Sequence, residues 1–180
     1  MPDSVLILNA AAIQRALTRI AHEIAERNEA GTEVVLLGIQ RGGVPLAQRL
    51  SALLGGIWSQ AVPCGSLDVS MHRDDLDQRF APQVRPTVIP FDVSEKTVVL
   101  VDDVLFSGRT IRAALDALND FGRPRCIQLA VLIDRGHREL PIKADFVGKN
   151  VPTARTENVR VGLTEMGGND EVVVEKGKVE

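Results

Sequence analysis

The stretch VVLVDDVLFSGRT, positions 98–110, narrows the possible folds more than any other part of the chain. Val98, Val99, Leu100 and Val101 make an unbroken apolar run, as in a strand covered on both faces, and it leads straight into Asp102 and Asp103. A carboxylate beside a covered strand costs free energy unless something pairs with it, and two adjacent ones also repel. In open α/β sheets ligands bind beyond the carboxyl ends of the strands. The pair therefore predicts a partner with hydroxyl donors or a cation: the neighbouring hydroxyls of a ribose, or Mg²⁺ held directly or through water. Ser107-Gly108-Arg109-Thr110 then opens a helical pattern. The free N–H groups and dipole of a helix start attract an anion, Gly108 permits close approach, and Ser107 and Thr110 add hydroxyls. Diol acceptors followed by a phosphate cradle match a sugar 5-phosphate. Two readings compete: a surface Asp-Asp above an ordinary capped helix, and a phosphoryl-accepting receiver domain. A receiver carries its acidic pair after the first strand, whereas this pair comes late in the chain.

Around this stretch the chain reads as one α/β domain, residues 1–180, within the roughly 100–200 residues usual for one. Aromatics are only 3% of residues, so the core must be built from Val, Ile, Leu and Ala. Positions 9–28 predict a helix capped by Asn9 and ended by Gly31, with Ile13, Leu17, Ile20 and Ile24 along one face. Doubly buried strands are predicted at 34–39, 98–101 and 126–133, a further strand at 61–70, and helices at 45–54 and 109–121, the last ending at Gly122. Short strands are expected at 145–151, 158–163 and 171–175. Positions 71–90 are polar, proline-rich and without a period, as functional or mobile loops are. Alternating strand and helix imply a mostly parallel central sheet flanked by helices, with the C-terminal third as a small cap.

The net charge of −3 argues against coating by nucleic acid through bulk attraction and leaves only a local basic face. Cys64 and Cys126, with no Cys-x-x-Cys or His cluster, argue against a disulfide framework or zinc site and fit a reduced, cytoplasmic setting. The start, MPDSVLILNAAA, lacks the basic region of a signal peptide. No apolar stretch approaches the roughly 20 residues of a membrane helix, so a soluble protein is expected.

VVLVDDVLFSGRT resembles the signature with which type I phosphoribosyltransferases bind phosphoribosyl pyrophosphate. LTRIAHEI (17–24), RPTVIPFDVSEK (85–96) and DRGHRELPIKADFVGKNVPTAR (134–155) narrow the resemblance to the bifunctional pyrimidine operon regulators that are also uracil phosphoribosyltransferases, over nearly the whole chain. That resemblance implies a type I phosphoribosyltransferase fold with a C-terminal hood and a mobile flap. It implies Mg²⁺-dependent conversion of uracil and phosphoribosyl pyrophosphate to UMP and pyrophosphate. It further implies attenuation through binding of pyrimidine operon leader mRNA, favoured by UMP or UTP, and a cytoplasmic homodimer or homotetramer.

The resemblance also assigns residues. Asp102 and Asp103 face the ribose and, mostly through substrate and water, Mg²⁺; Val104, Leu105, Phe106, Ser107, Gly108, Arg109 and Thr110 complete the donor site. GIQRGG (38–43) would hold the leaving pyrophosphate through its amides, with Gln40, Arg41 and Gly42 in contact; a plain strand-to-helix turn is the competing reading. Arg135 and the backbone near Val159 would meet the uracil. The loop with Arg73, Asp74 and Asp75 resembles the flap, whose closure would shield a ribosyl cation-like transition state from water. Arg73, counted with the two aspartates as catalytic, and Arg85 are candidate phosphate contacts, against the reading of a solvated charged loop. No nucleophile or strong base is required; positioning and electrostatics suffice.

Two departures stand out. The family usually reads Gly-Ile-x-Thr-Arg-Gly where this chain has Gly38-Ile39-Gln40-Arg41-Gly42-Gly43, and it usually has Tyr at His72. Arg41-Gly42-Gly43 resembles the loop of purine phosphoribosyltransferases, which supports a purine enzyme without an RNA role as the alternative function.

A turn of about 100° per residue places Thr18 and His22 opposite the apolar stripe of the first helix, with Arg19 at the flank. His137, Arg138, Lys143, Lys149 and Arg155 follow later. By composition these are solvated surface charges. By resemblance Thr18, Arg19, His22, His137, Arg138, Lys143 and Lys149 bind the leader RNA hairpin through phosphates and unstacked bases. Trp58 reads as core or a subunit contact, Cys64 and Cys126 as small core residues, and His72 has no acid partner in the sequence.

Overall fold

The structure, a computed structural model, describes residues 3–29, 33–74 and 84–177. Its strands are β1 (Ser4–Leu8), β2 (Val34–Ile39), β3 (Cys64–Leu67), β4 (Thr97–Leu105), β5 (Cys126–Asp134), β6 (Phe146–Asn150), β7 (Glu157–Gly162) and β8 (Glu171–Lys176). Its helices are α1 (Ala10–Arg27), α2 (Gly43–Trp58) and α3 (Arg109–Leu118), with 3₁₀ turns at Ser70–His72 and Thr164–Met166. Five strands form a parallel sheet in the order β3-β2-β4-β5-β6. A second sheet, three-stranded and antiparallel in the order β1-β8-β7, is the candidate hood.

The central strands read as continuous apolar runs because both faces are covered. Val99 and Val101 enter a cluster with Ile13, Leu17, Ile20, Leu46 and Leu50 of α1 and α2. Val98 and Leu100 enter a second cluster with Ile111, Ala114 and Leu118 of α3. Asn9 caps α1 by accepting the Ala12 N–H at 2.9 Å. At its other end Asn28 exchanges two amide hydrogen bonds with the buried Gln128, which fixes the helix to β5.

Several predicted boundaries shift. β4 runs through the acidic pair to Leu105, because β5 goes on pairing with it at Asp102, Val104 and Leu105. α2 is longer at both ends, beginning at Gly43 and crossing Gly55 and Gly56 to a left-handed Ser59. α3 ends at Leu118, and residues 119–121 continue as tighter turns before Gly122. The strand expected at 61–70 is only Cys64–Leu67. α1 ends at Asn28; Gly31 lies outside the described residues, as does Asp75. The cap is not purely C-terminal: β1, unanticipated in the sequence reading, pairs with β8 and supplies one of its strands. Cys126 is exposed rather than core, because β6 begins pairing with β5 only at Ala130. Cys64 is half-buried, and burial pushes its thiol up to about 11. Trp58 packs partly buried on the α1–α2 side.

Candidate functional site

β4 delivers the two carboxylates to the carboxyl edge of the sheet. Successive side chains of a strand point to opposite faces, so Asp102 leaves β4 toward α3 and Asp103 toward α2. Asp102 is 6% exposed. Its burial, reinforced by the charge of Asp103, holds its carboxyl well above the usual carboxylate range. Local backbone donors steady both groups: Asp102 Oδ1 accepts from Asp103 N–H at 2.9 Å, and Asp103 Oδ1 from Val104 N–H at 2.8 Å.

Gly42 and Gly43 of GIQRGG are pressed against that edge, while Gly38 lies against Gly43 and Val44 of the same loop. A Cβ on Gly42 would collide with the Asp103 carboxylate, and one on Gly43 with the Val101 carbonyl oxygen. Gln40 N–H donates to Leu67 O at 2.9 Å, and the Gln40–Arg41 peptide is cis. Arg41 is exposed.

A pocket of about 170 Å³ joins Arg73, Asp102, Val104, Leu105, Phe106, Ser107, Gly108 and Thr110 of the predicted residues and adds Ile111. Gly108, at φ 93°, makes the left-handed turn that aims the first amides of α3 into it. Arg73 donates to Thr110 Oγ1 at 3.0 Å. Arg109, also predicted, does not line the pocket: its N–H donates to Ser107 Oγ at 3.3 Å, and its guanidinium runs outward to Asp74 (2.6 Å) and Glu139 (2.8 Å). Arg85 is exposed and stands apart from the pocket; its N–H donates to Asp68 Oδ2 at 2.7 Å. Asp68 also accepts from the N–H and hydroxyl of Ser70, so one carboxylate ties residues 70 and 85. The sequence reading missed Asp68, although an aspartate two residues before a serine is a turn signal.

Arg135 is 7% exposed and stacks on Phe106 at 4.2 Å. It donates to Thr153 Oγ1 and to the carbonyls of Ala154 and Glu157, which fastens the start of β7 above the site. Val159, on β7 itself, is buried. Arg49 anchors the hood from α2, reaching Glu165 and Asp170 at 2.6 Å each.

The basic residues fall into two groups. Arg15, Arg19 and Lys149 rim a shallow groove between α1 and β6 floored by Leu8, Ala12 and Ala16. Arg19 is also held by Glu23 and by the carbonyls of Val147 and Gly148. Thr18 donates back to Gln14 O, and His22 is exposed on the same helix. The second group lies on the β5–β6 connection. There His137 contacts Thr153 O at 2.5 Å, and Arg138 is committed to Asp134, Phe106 O and Ile142 O. Lys143 and Arg155 are exposed. His72 does have an acid neighbour, Asp120 at 3.7 Å, brought near by folding.

A model of the phosphoribosyl transferase domain matches residues 7–165. A protein named Bifunctional protein PyrR from Chloroflexus aurantiacus is 61% identical over 178 residues, 98% of each chain. The chain belongs to the PyrR family of phosphoribosyltransferases. A PyrR of Roseiflexus sp. is 64% identical, covering 93% of each chain, and one of Thermus thermophilus is 56% identical, covering 92% of each. The fold extends beyond PyrR: the hypoxanthine phosphoribosyltransferase of Trypanosoma cruzi, solved with its product IMP, superposes with a TM-score of 0.75 at 18% identity, over 99% of this chain and 97% of that one. No described helix is long and apolar enough to cross a membrane.

Proposed function

We propose that the chain transfers the ribosyl 5-phosphate of phosphoribosyl pyrophosphate to uracil and binds pyrimidine operon leader mRNA in response to uridine nucleotides. The observation that carries this reading is similarity to PyrR proteins along essentially the full length. The donor's 5-phosphate sits on the amides of Ser107 to Thr110, with Arg73 at its side. Asp102 accepts from a ribose hydroxyl, and Asp103 faces the 38–43 loop that holds the pyrophosphate. Uracil N1 attacks C1 as pyrophosphate leaves; the hood, fastened by Arg135, covers the base. The protein lowers the barrier by positioning and by placing donors where charge accumulates.

The donor set suits Mg²⁺. Asp102 and Asp103 are hard oxygen donors that would hold it, and among the described residues no group of three or more His, Cys, Asp or Glu is placed to hold a metal ion. Two carboxylates cannot cage such an ion alone, so substrate oxygens and water would have to supply its other ligands. When bound, Mg²⁺ neutralises the pyrophosphate charge.

RNA meets Thr18, Arg19, His22, His137, Arg138, Lys143 and Lys149. The protein works in the cytoplasm as a homodimer or homotetramer.

The test has two parts. UMP formation is followed with phosphoribosyl pyrophosphate, Mg²⁺ and uracil, with hypoxanthine and guanine in parallel. Affinity for a leader hairpin is measured at fixed salt with and without UMP. Turnover of hypoxanthine with none of uracil, and hairpin binding indifferent to UMP, would establish the purine reading instead.

A further inference from the structure

β3 ends at Leu67; the chain leaves the sheet there and comes back alongside itself at residues 85–88. Ser66 and Val88 exchange two backbone hydrogen bonds, at 2.8 and 2.9 Å, and Asp68 N–H donates to Thr87 Oγ1 at 2.9 Å. The Asp68 carboxylate closes this junction. Its Oδ1 accepts from the Ser70 N–H at 3.0 Å, the Ser70 hydroxyl lies 2.8 and 2.9 Å from its two oxygens, and Oδ2 accepts from the Arg85 N–H at 2.7 Å. One side chain thus holds the outgoing and the returning chain together.

The path from Asp68 to the pocket is short. Val69 is buried in the core on the α3 side, which fixes its place but leaves the peptide after it free to rotate. The Asp68 carboxylate removes that freedom, because it grips the N–H of the peptide joining Val69 to Ser70. A 3₁₀ turn over Ser70–His72 follows, with His72 N–H donating to Val69 O at 3.0 Å. Arg73 leaves the turn extended (φ −75°, ψ 137°), lines the pocket at the start of α3 and donates to Thr110 Oγ1. There burial and the Asp103 charge raise the Asp102 carboxyl, and the Arg73 charge opposes them. On the far side of Arg73, Asp74 pairs with Arg109 at 2.6 Å and Arg112 at 3.4 Å, but these partners are half-exposed and exposed, where ion pairs contribute little. Asp68 is the firmer anchor, since a carboxylate bonded to backbone N–H groups makes charge-assisted bonds.

We propose that Asp68 is a positioning residue for the transfer reaction: it caps the 70–72 turn, ties it to Arg85, and so holds the Arg73 guanidinium on the ribosyl 5-phosphate. It touches no substrate itself. The inference rests on the phosphoribosyl-transfer reading above and adds to it a residue outside the pocket. A binding group keeps its productive geometry only when its support holds it to within about 0.5 Å. Both carboxylate oxygens are needed, one for each direction of the chain. An asparagine of the same shape offers one oxygen, and its NH₂ then faces an N–H.

The test is a double-mutant cycle of Asp68→Asn and Arg73→Ala, read as affinity for ribose 5-phosphate by calorimetry. The kcat and KM for UMP formation and the melting temperature are measured on the same four proteins. Arg73→Ala weakens ribose 5-phosphate binding by about 10–100-fold, the worth of a hydrogen bond to a charged group. Asp68→Asn weakens it by about 10-fold, a large part of that bond, and raises the KM for phosphoribosyl pyrophosphate rather than that for uracil. In the Arg73→Ala background the same change adds no more than about twofold, within the scatter of independent sites. Equal losses from Asp68→Asn in both backgrounds would overturn the proposal, because Asp68 would then act without Arg73. Unchanged ribose 5-phosphate affinity in Asp68→Asn would overturn it too, whatever the melting temperature does, and would mark a carboxylate that serves the fold alone. Wild type that binds ribose 5-phosphate with the expected coupling but forms no UMP would overturn the transferase reading and leave the placement of Arg73 by Asp68 standing.

Discussion

Asp102 and Asp103 are chain neighbours whose side chains leave β4 on opposite faces, Asp102 into the pocket at the start of α3 and Asp103 against Gly42. One peptide step thus places a carboxylate at the start of α3 and another at the loop before α2.

Asp102→Asn separates charge from shape. The folded carboxyl titrates above its ordinary range because of burial and then Asp103. Stability from that raised value is fully present below the unfolded carboxyl pKa of about 4 and is lost as pH rises through the folded one. Asparagine removes this loss, so the variant's melting temperature relative to wild type should climb with pH in thermal scans. UMP formation should fall by about 100-fold or more. Near-wild-type turnover in Asp102→Asn with Asp103→Asn would refute the pocket assignment.

Gly42→Ala and Gly43→Ala should fail differently. The added methyl at 43 meets the fixed Val101 carbonyl, so destabilisation of about 1–3 kcal/mol is expected. At 42 it meets the Asp103 side chain, which can rotate away. Denaturant midpoints for Gly42→Ala should therefore change little, while kcat drops. Equal effects on both quantities in both variants would count against this division.

Arg49→Ala should loosen the hood. Hydrogen bonds from Arg49 hold the carboxyls of Glu165 and Asp170 below their ordinary values. Groups with depressed values stabilise the fold above the unfolded pKa and lose that contribution as pH falls through the folded one. Wild type should thus lose protection of β7 and β8 in hydrogen exchange as pH drops below about 4. Arg49→Ala should lack that protection already at pH 7, and a hood equally protected in both proteins would exclude the anchor.

Lys149→Ala and Arg19→Ala test the groove. Lys149 is exposed at the sheet edge, so its loss should weaken hairpin binding, reduce the salt slope by about one and leave the melting temperature unchanged. Arg19 also ties α1 to Val147 and Gly148, so its removal should cost binding together with about 1 kcal/mol of stability. Uracil turnover should persist in both. Hairpin affinity unaltered by either change would remove the groove from the RNA face.

What the sequence determined by itself was local. Hydrophobic period placed α1 and β2 almost to the residue, because both depend on a stripe or run of Val, Ile and Leu readable without the partner surface. The order of strand, acidic pair and Gly108 exposed the cradle, since strand, glycine turn and helix start are contiguous there. Tertiary structure decided the rest. β1 was invisible because five residues make a strand only once β8 lies alongside. That Gly42 touches Asp103, that Arg109 turns outward to Asp74, and that Arg138 reaches the Phe106 carbonyl depend on pairs tens of residues apart. Side-chain chemistry states what a residue can bind, but only packing across such distances fixes which of its possible partners it meets.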